Sequence, residues 1–298
     1  MERPGALFRW CAFASAFVTW ALVAVGGLVR VSESGLGCPD WPLCEGNVVP
    51  ADQKAPIIEF SHRATAAAAT LLVATVCLWA WRSHRPRREI VVPATVALVL
   101  VPFQAVLGAV VVLLELPSWI VGVHFVVGML FLAATVAAAT AAWRSGETVS
   151  PRYARLAAAG ALVGLVAVSL GASVVSAHAD GACGHEWPSC NGSFVSGGGD
   201  GALQVGHRMG AYVVAGLVLA LAVVAFRGGG PRVPALLGVA MVLTGEGSGA
   251  REALEVAHVA LAGAVWTAIV ATATIACQSR PRWAPGRRVA VHPRPVAR

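Results

Sequence analysis

The sequence predicts an all-α membrane protein, with eight transmembrane helices arranged as two pseudo-symmetric four-helix bundles. Three observations carry this reading. Uncharged apolar runs such as Ala12–Val29 and Val121–Trp143 are long enough to cross a bilayer at ~1.5 Å per residue. Arginines recur in blocks between alternate runs, as they do on the cytoplasmic side of membrane proteins. A short cysteine-tryptophan string occurs twice, about half the chain apart. Composition agrees. Of 298 residues 57% are hydrophobic and only 12% charged, roughly half the charged fraction of a soluble domain. The runs are continuous and do not alternate, which argues against a transmembrane barrel.

In chain order the predicted helices are 8–30, 58–81, 90–114, 118–143, 155–177, 203–226, 232–246 and 252–277. The first run follows Arg3 and Arg9, is too long for a signal-peptide core and lacks a clear cleavage site, so it reads as a helix. The segment 232–246 is the weakest, a short run ending in Gly245-Glu246-Gly247-Ser248-Gly249. The predicted organisation is an N-terminal half 1–146, a C-terminal half 147–278, and a disordered, arginine-rich cytoplasmic tail 279–298.

The net charge is +7, with Lys54 the only lysine. Arg3, Arg9, Arg82, Arg85, Arg87, Arg88, Arg144, Arg152, Arg155, Arg227, Arg232 and the tail from Arg280 fall on one side of the predicted helices. Glu33, Asp40, Glu45, Asp52, Asp180, Glu186 and Asp200 fall on the other, with Arg30, Lys54, Arg63, Arg208 and Arg251 as exceptions. The basic balance therefore reads as topology in a cytoplasmic membrane, with both termini inside and the cysteine loops outside, and not as nucleic-acid binding.

The repeated string is Cys38-Pro39-Asp40-Trp41-Pro42-Leu43-Cys44-Glu45-Gly46 in one loop and Cys183-Gly184-His185-Glu186-Trp187-Pro188-Ser189-Cys190-Asn191-Gly192 in the other. His62-Arg63 follows Cys44 by 18 residues, and His207-Arg208 follows Cys190 by 17. His124 and His258 then open later helices. Two copies running in the same direction describe a parallel internal repeat. Cys38 with Cys44 and Cys183 with Cys190 are close enough to pair within each loop, and an oxidising exterior permits it. A thiol redox role is the alternative to a loop staple. A metal site is less suited, because nothing completes a tetrahedral set. Cys11, Cys77 and Cys277 read as small apolar fillers.

His62, His124, His207 and His258 are the chemical signal. Polar groups in lipid are costly, and four at repeat-equivalent positions point to function. Two facing histidines in a helix bundle can hold a haem iron from both sides. A copper or zinc site would want further ligands, and a proton relay is the remaining alternative. One haem per half fits best. Arg63 and Arg208 are candidates for pairing with haem propionates, although a snorkelling interfacial arginine reads the same way. The halves differ at one position: Glu59 lies three residues before His62, where Gln204 precedes His207. A carboxylate exchanges a proton and an amide does not. The first half therefore reads as reactive and the second as electron-holding. Against that, negative charge is favoured at a helix N-terminus in any case.

Val29-Arg30, Gly35-Leu36-Gly37 with the first cysteine loop, and Glu59-Phe60-Ser61-His62-Arg63 resemble the haem A synthase family. Gln104, Gly108, His124, the second loop, His207-Arg208 and His258 continue the pattern, over about residues 8–277. The resemblance implies oxidation of a ring methyl of haem O to a formyl group, giving haem A for terminal oxidases. It implies substrate haem at His62 and His124 with Glu59 catalytic, and a resident haem b ligated by His207 and His258. Two successive hydroxylations and loss of water would complete the conversion, with electrons leaving through the second haem. The expected partners are membrane lipid, a haem O synthase and an electron acceptor that the sequence does not identify. The second loop departs from the pattern by an extra residue between its cysteines and by His178 and His185, read as solvated. The competing reading is a two-haem electron-transfer subunit of the cytochrome b kind; a transporter with parallel repeats is a third. The one-sided Glu59 favours the synthase, since a carrier needs no carboxylate in only one half.

Overall fold

The computed structural model describes residues 3–47, 49–144, 148–179, 181–183, 189–190, 192–193, 199–232 and 251–281. Its helices are α1 (Ala6–Val31), α2 (Lys54–Ser83), α3 (Arg88–Leu113), α4 (Ser118–Trp143), α5 (Pro151–Ser176), α6 (Asp200–Val224) and α7 (Arg251–Gln278). Among the described residues seven helices are long and apolar enough to cross a membrane. The predicted segment 232–246 lies outside the described residues but for its first position.

Local chemistry explains the boundaries. The Ser150 hydroxyl accepts the Tyr153 N–H and Pro151 occupies the first turn, so α5 starts four residues before its apolar pattern does. Helix α2 likewise begins at Lys54, with Pro56 in a first turn that lacks N–H acceptors anyway. Helices α1 and α5 end alike: Glu33 and His178 are left-handed (φ 53° and 54°), and the N–H groups of Ser34 and Ala179 close on the carbonyls of Val29 and Val174. Pro93 and Pro102 lie within α3 without ending it, as transmembrane helices tolerate where neighbours surround them. Helix α6 runs into a wide turn, Ala225–Gly229, that breaks at Gly228 with φ 81°.

Sequential helices pack in pairs, α1 on α2, α3 on α4 and α5 on α6, while α1, α4, α5 and α7 meet centrally. Met129 and Leu132 of α4 are fully buried against Trp266 and Val270 of α7, with Trp20 of α1 beside them. The Trp266 indole donates to the Met129 carbonyl at 2.9 Å, and the Trp20 indole to the Ala260 carbonyl at 3.0 Å. A second core at one end joins Phe8 and Ala12 to Cys77, Ala80, Ile90 and Ala142. Arg9, Arg87 and Arg144 gather at that end: Arg9 stacks on Trp143, Arg87 donates to the Ala141 carbonyl, and Arg144 bonds to Gln278 and Ser279. Residues 280–281, in the expected tail, pair there in parallel with 148–149. Residues 282–298 lie outside the described residues. Of the three free cysteines Cys77 is buried, Cys11 is partly buried and Cys277 is exposed, so Cys277 is not the filler expected of it.

Candidate functional site

The opposite end of the bundle carries the histidines and the cysteine loops. Both disulfides form within their loops, Cys38–Cys44 and Cys183–Cys190, each with Cα atoms 4.6 Å apart. The four sulfurs are buried. Each loop folds back through a bridge, Cys44 with Asn47 and Cys190 with Ser193, and Gly46 and Gly192 both take φ 74° there. In the first loop the Asp40 carboxylate accepts the N–H groups of Glu45 and Gly46, at 2.6 and 2.8 Å. These bonds, that of Gly46 foremost, hold its carboxyl below the ordinary value of 3.8.

Each loop is clamped to the helix after it. The Cys38 N–H donates to Glu59 Oε2 at 2.9 Å, and the Cys183 N–H to Gln204 Oε1 at 2.8 Å, both across 21 residues. Arg63 donates through Nη2 to the Cys38 carbonyl at 2.8 Å and to Glu59 Oε1 at 2.5 Å. Its Nη1 reaches the carbonyls of Asp40 and Leu43. Arg208 donates to the Ser189 carbonyl at 2.6 Å. Glu59 is 3% exposed, and its charge is met by Arg63 four residues on. Sequence reasoning placed Glu59 and the arginines at the haem sites but missed that they anchor the loops. The signal was available in the constant spacing of 21 from first cysteine to Glu59 or Gln204.

The histidines lie just inside these clamps. His62 is seated on α1 where Gly26 has no side chain; a Cβ there would stand 3.2 Å from its ring. His207 sits likewise on Gly171 of α5, at 2.8 Å. The His207 Nδ1 lies 3.0 Å from the Ala167 carbonyl. As a donor there it leaves Nε2 with a lone pair for a metal, the usual way a ligating imidazole is oriented. His62 turns toward the Leu22 backbone, but its Nδ1 and that of His124 are buried without a hydrogen-bond partner.

The His207 and His258 rings are 6.2 Å apart, centroid to centroid, at 78°. Two imidazoles bonded to one iron from opposite sides, at about 2 Å each, would have centroids about 6 Å apart. The residues present therefore fit an axial pair. His258 is exposed in the protein alone, and His62, His124 and His207 are partly exposed. Among the described residues no three His, Cys, Asp or Glu side chains gather as a metal cage. His178 is exposed in the turn after α5; His185 lies outside the described residues.

Residues 9–270 match the cytochrome oxidase assembly protein family, COX15-CtaA. The chain belongs to this family. Among curated proteins, the chain is 32% identical over 187 residues to the heme A synthase of Exiguobacterium sibiricum, covering 59% of this chain and 63% of that protein. It is 34% identical over 178 residues to the heme A synthase of Halalkalibacterium halodurans, covering 57% and 59%. For the heme A synthase of Shouchella clausii the identity is 32% over 207 residues, covering 66% and 68%. The chain thus matches about three fifths of the length of the first two relatives. With seven apolar helices of spanning length among its described residues, the family member is a multi-pass membrane protein.

Proposed function

We propose that this protein is a haem A synthase, an oxidoreductase that converts the ring methyl of haem O to a formyl group. The observation that carries the reading is the unequal pair at one structural position. Glu59 and Gln204 accept the same kind of loop N–H, yet at that loop-clamping position only the N-terminal half has a carboxylate; Glu255, three residues before His258, stands on a different helix. Membership of the family and the heme A synthase names of its relatives support it.

In this reading residues 1–146 and 147–278 are two halves of four helices each, related by duplication, and 279–298 form a cytoplasmic tail. Support comes from the matched helix ends at Glu33 and His178, the matched loop clamps, and the matched seats of His62 and His207 on glycine. The arginines gathered at one end support a cytoplasmic position for both termini and an external one for the cysteine loops of a cytoplasmic-membrane protein.

Haem O lies in the N-terminal half, its iron between His62 and His124, and its prenyl chain extends into lipid. Arg63 and Arg208 put positive charge at the outer mouth of each histidine pair, where propionates would lie. Glu59 is the base: Arg63 and the Cys38 N–H fix the position of its carboxylate, which accepts a proton released at the substrate methyl. Each of two hydroxylations would replace a methyl C–H by C–OH with oxygen at the level of water and release two electrons and two protons, the electrons going to an acceptor outside the protein; the resulting gem-diol then loses water to give the formyl group. His207 and His258 would hold a haem b, which when bound would supply reversible electron storage. The Ala167 carbonyl orients His207 for that task. A haem O synthase in the same membrane is the expected source of substrate.

Expression beside a source of haem O, followed by extraction and chromatography of the haems, tests the assignment. Haem A is the expected product. A folded protein that leaves only haem O or haem B would end it.

A further inference from the structure

Three of the four buried side-chain polar atoms that lack a hydrogen-bond partner among the described residues belong to the N-terminal histidine region: His62 Nδ1, His124 Nδ1 and Gln104 Oε1. An unsatisfied buried polar atom is costly, and more so in lipid, where no water replaces the partner. The His207 Nδ1 of the C-terminal pair has a carbonyl beside it. Gln104 is the informative member. Its amide nitrogen lies 3.3 Å from the His124 carbonyl. That carbonyl can only accept, so the amide end facing it is the NH2 and the free end is the oxygen. The amide is also seated: a Cβ on Gly128 would come within 2.9 Å of its nitrogen. One turn further along α3, Gly108 lies under the His124 ring, 3.6 Å from where its own Cβ would be. Gln104 and the His124 ring therefore share one face of α3, and an unmet acceptor sits beside a candidate substrate ligand.

We propose that Gln104 is a substrate-contacting residue, whose amide oxygen accepts a hydrogen bond from a hydroxyl group of the bound haem. This rests on the haem A synthase reading and deepens it. A free acceptor demands a donor. The donors that the chemistry of the reaction provides, apart from the propionate end, are hydroxyls. One is on the carbon that joins the prenyl chain to the ring in haem O. The other is placed on the ring methyl during conversion. Haem B has a vinyl group where haem O has the hydroxylated chain, so a contact to the first hydroxyl selects haem O over haem B. A contact to the second retains the half-oxidised haem until the next step.

The test uses the full-length protein in detergent, wild type and Gln104→Met, titrated with haem O and with haem B by Soret absorbance. Conversion is followed in parallel by chromatography of extracted haems. If the prenyl hydroxyl is the partner, Gln104→Met weakens haem O binding about tenfold and leaves haem B unchanged. If the new hydroxyl is the partner, both haems bind as before and hydroxymethyl haem accumulates at the expense of haem A. Equal weakening for both haems, or wild-type binding with wild-type products, overturns the proposal. Gly128→Ala, which displaces the amide without removing it, gives the same pattern in weaker form and serves if Gln104→Met does not fold. A wild-type protein that makes no haem A would instead sink the synthase reading, while selective haem O binding lost in Gln104→Met would leave this contact standing.

Discussion

Glu59 holds two jobs at once. Its Oε2 anchors the Cys38 N–H and its Oε1 meets Arg63. Gln204 shows that an amide performs the anchoring part, since its oxygen takes the Cys183 N–H at 2.8 Å. The substitution Glu59→Gln therefore separates the jobs. It keeps an acceptor for the loop and removes the charge that, in the proposed function, accepts a proton. We expect Glu59→Gln to retain its fold and bound haem while conversion falls roughly 10²–10⁴-fold, the usual contribution of a positioned acid or base. Haem content and haem A yield, measured on the same preparation, check this. Undiminished conversion would remove Glu59 from the chemistry and leave it a loop anchor only. The sequence exposed the asymmetry of Glu59 and Gln204. The shared anchoring was harder to see, because a hydrogen bond from a backbone N–H leaves no mark on the donor's residue type.

At the scale of elements, the first cysteine loop is a small unit held by a disulfide, a carboxylate and a guanidinium. The disulfide closes a short ring, which by loop entropy restrains the unfolded chain by about 2 kcal/mol. Asp40 supplies a pH-dependent part. Its carboxyl is held below 3.8 when the loop is folded, so the carboxylate's contribution is complete above that value. It is lost as pH falls through the lower folded value. Hydrogen exchange of residues 38–47 should be flat from pH 7 to about 5, after correction for the intrinsic rate, and protection should fall below about pH 4. In Asp40→Asn, protection should be reduced even at neutral pH. A loop equally protected at pH 3 would show that Asp40 contributes nothing to it. The spans themselves were legible in the sequence, since a helix in lipid must be long and apolar. Their ends were less so. Helix α5 starts at the Ser150 cap and α2 at Lys54, both four residues ahead of the apolar pattern, because capping and first-turn chemistry are independent of hydropathy.

Across the whole molecule, the arginine end and the histidine end are held by different contacts. The arginine end is tied by Arg9–Trp143, Arg87–Ala141 and Arg144–Gln278 contacts. The buried Trp266–Met129 contact joins α7 to α4 across the middle. That contact was not legible beforehand, because a tryptophan in an apolar run gives no sign of which carbonyl it will meet. The histidines were legible as a set, since polar groups in lipid stand out by cost alone. What distinguishes the pairs came from packing: His207 has a carbonyl at its Nδ1 and lies at axial-pair distance from His258, while the Nδ1 atoms of His62 and His124 lack partners. A ring already oriented by a carbonyl, as His207 is, suits a resident haem. The direct measurement is the haem retained by purified His207→Ala and His62→Ala proteins, extracted and chromatographed after expression beside a haem O source. The expected outcome is that His207→Ala loses haem b, and that His62→Ala keeps haem b but makes no haem A. Loss of haem b in His62→Ala with retention in His207→Ala would contradict it.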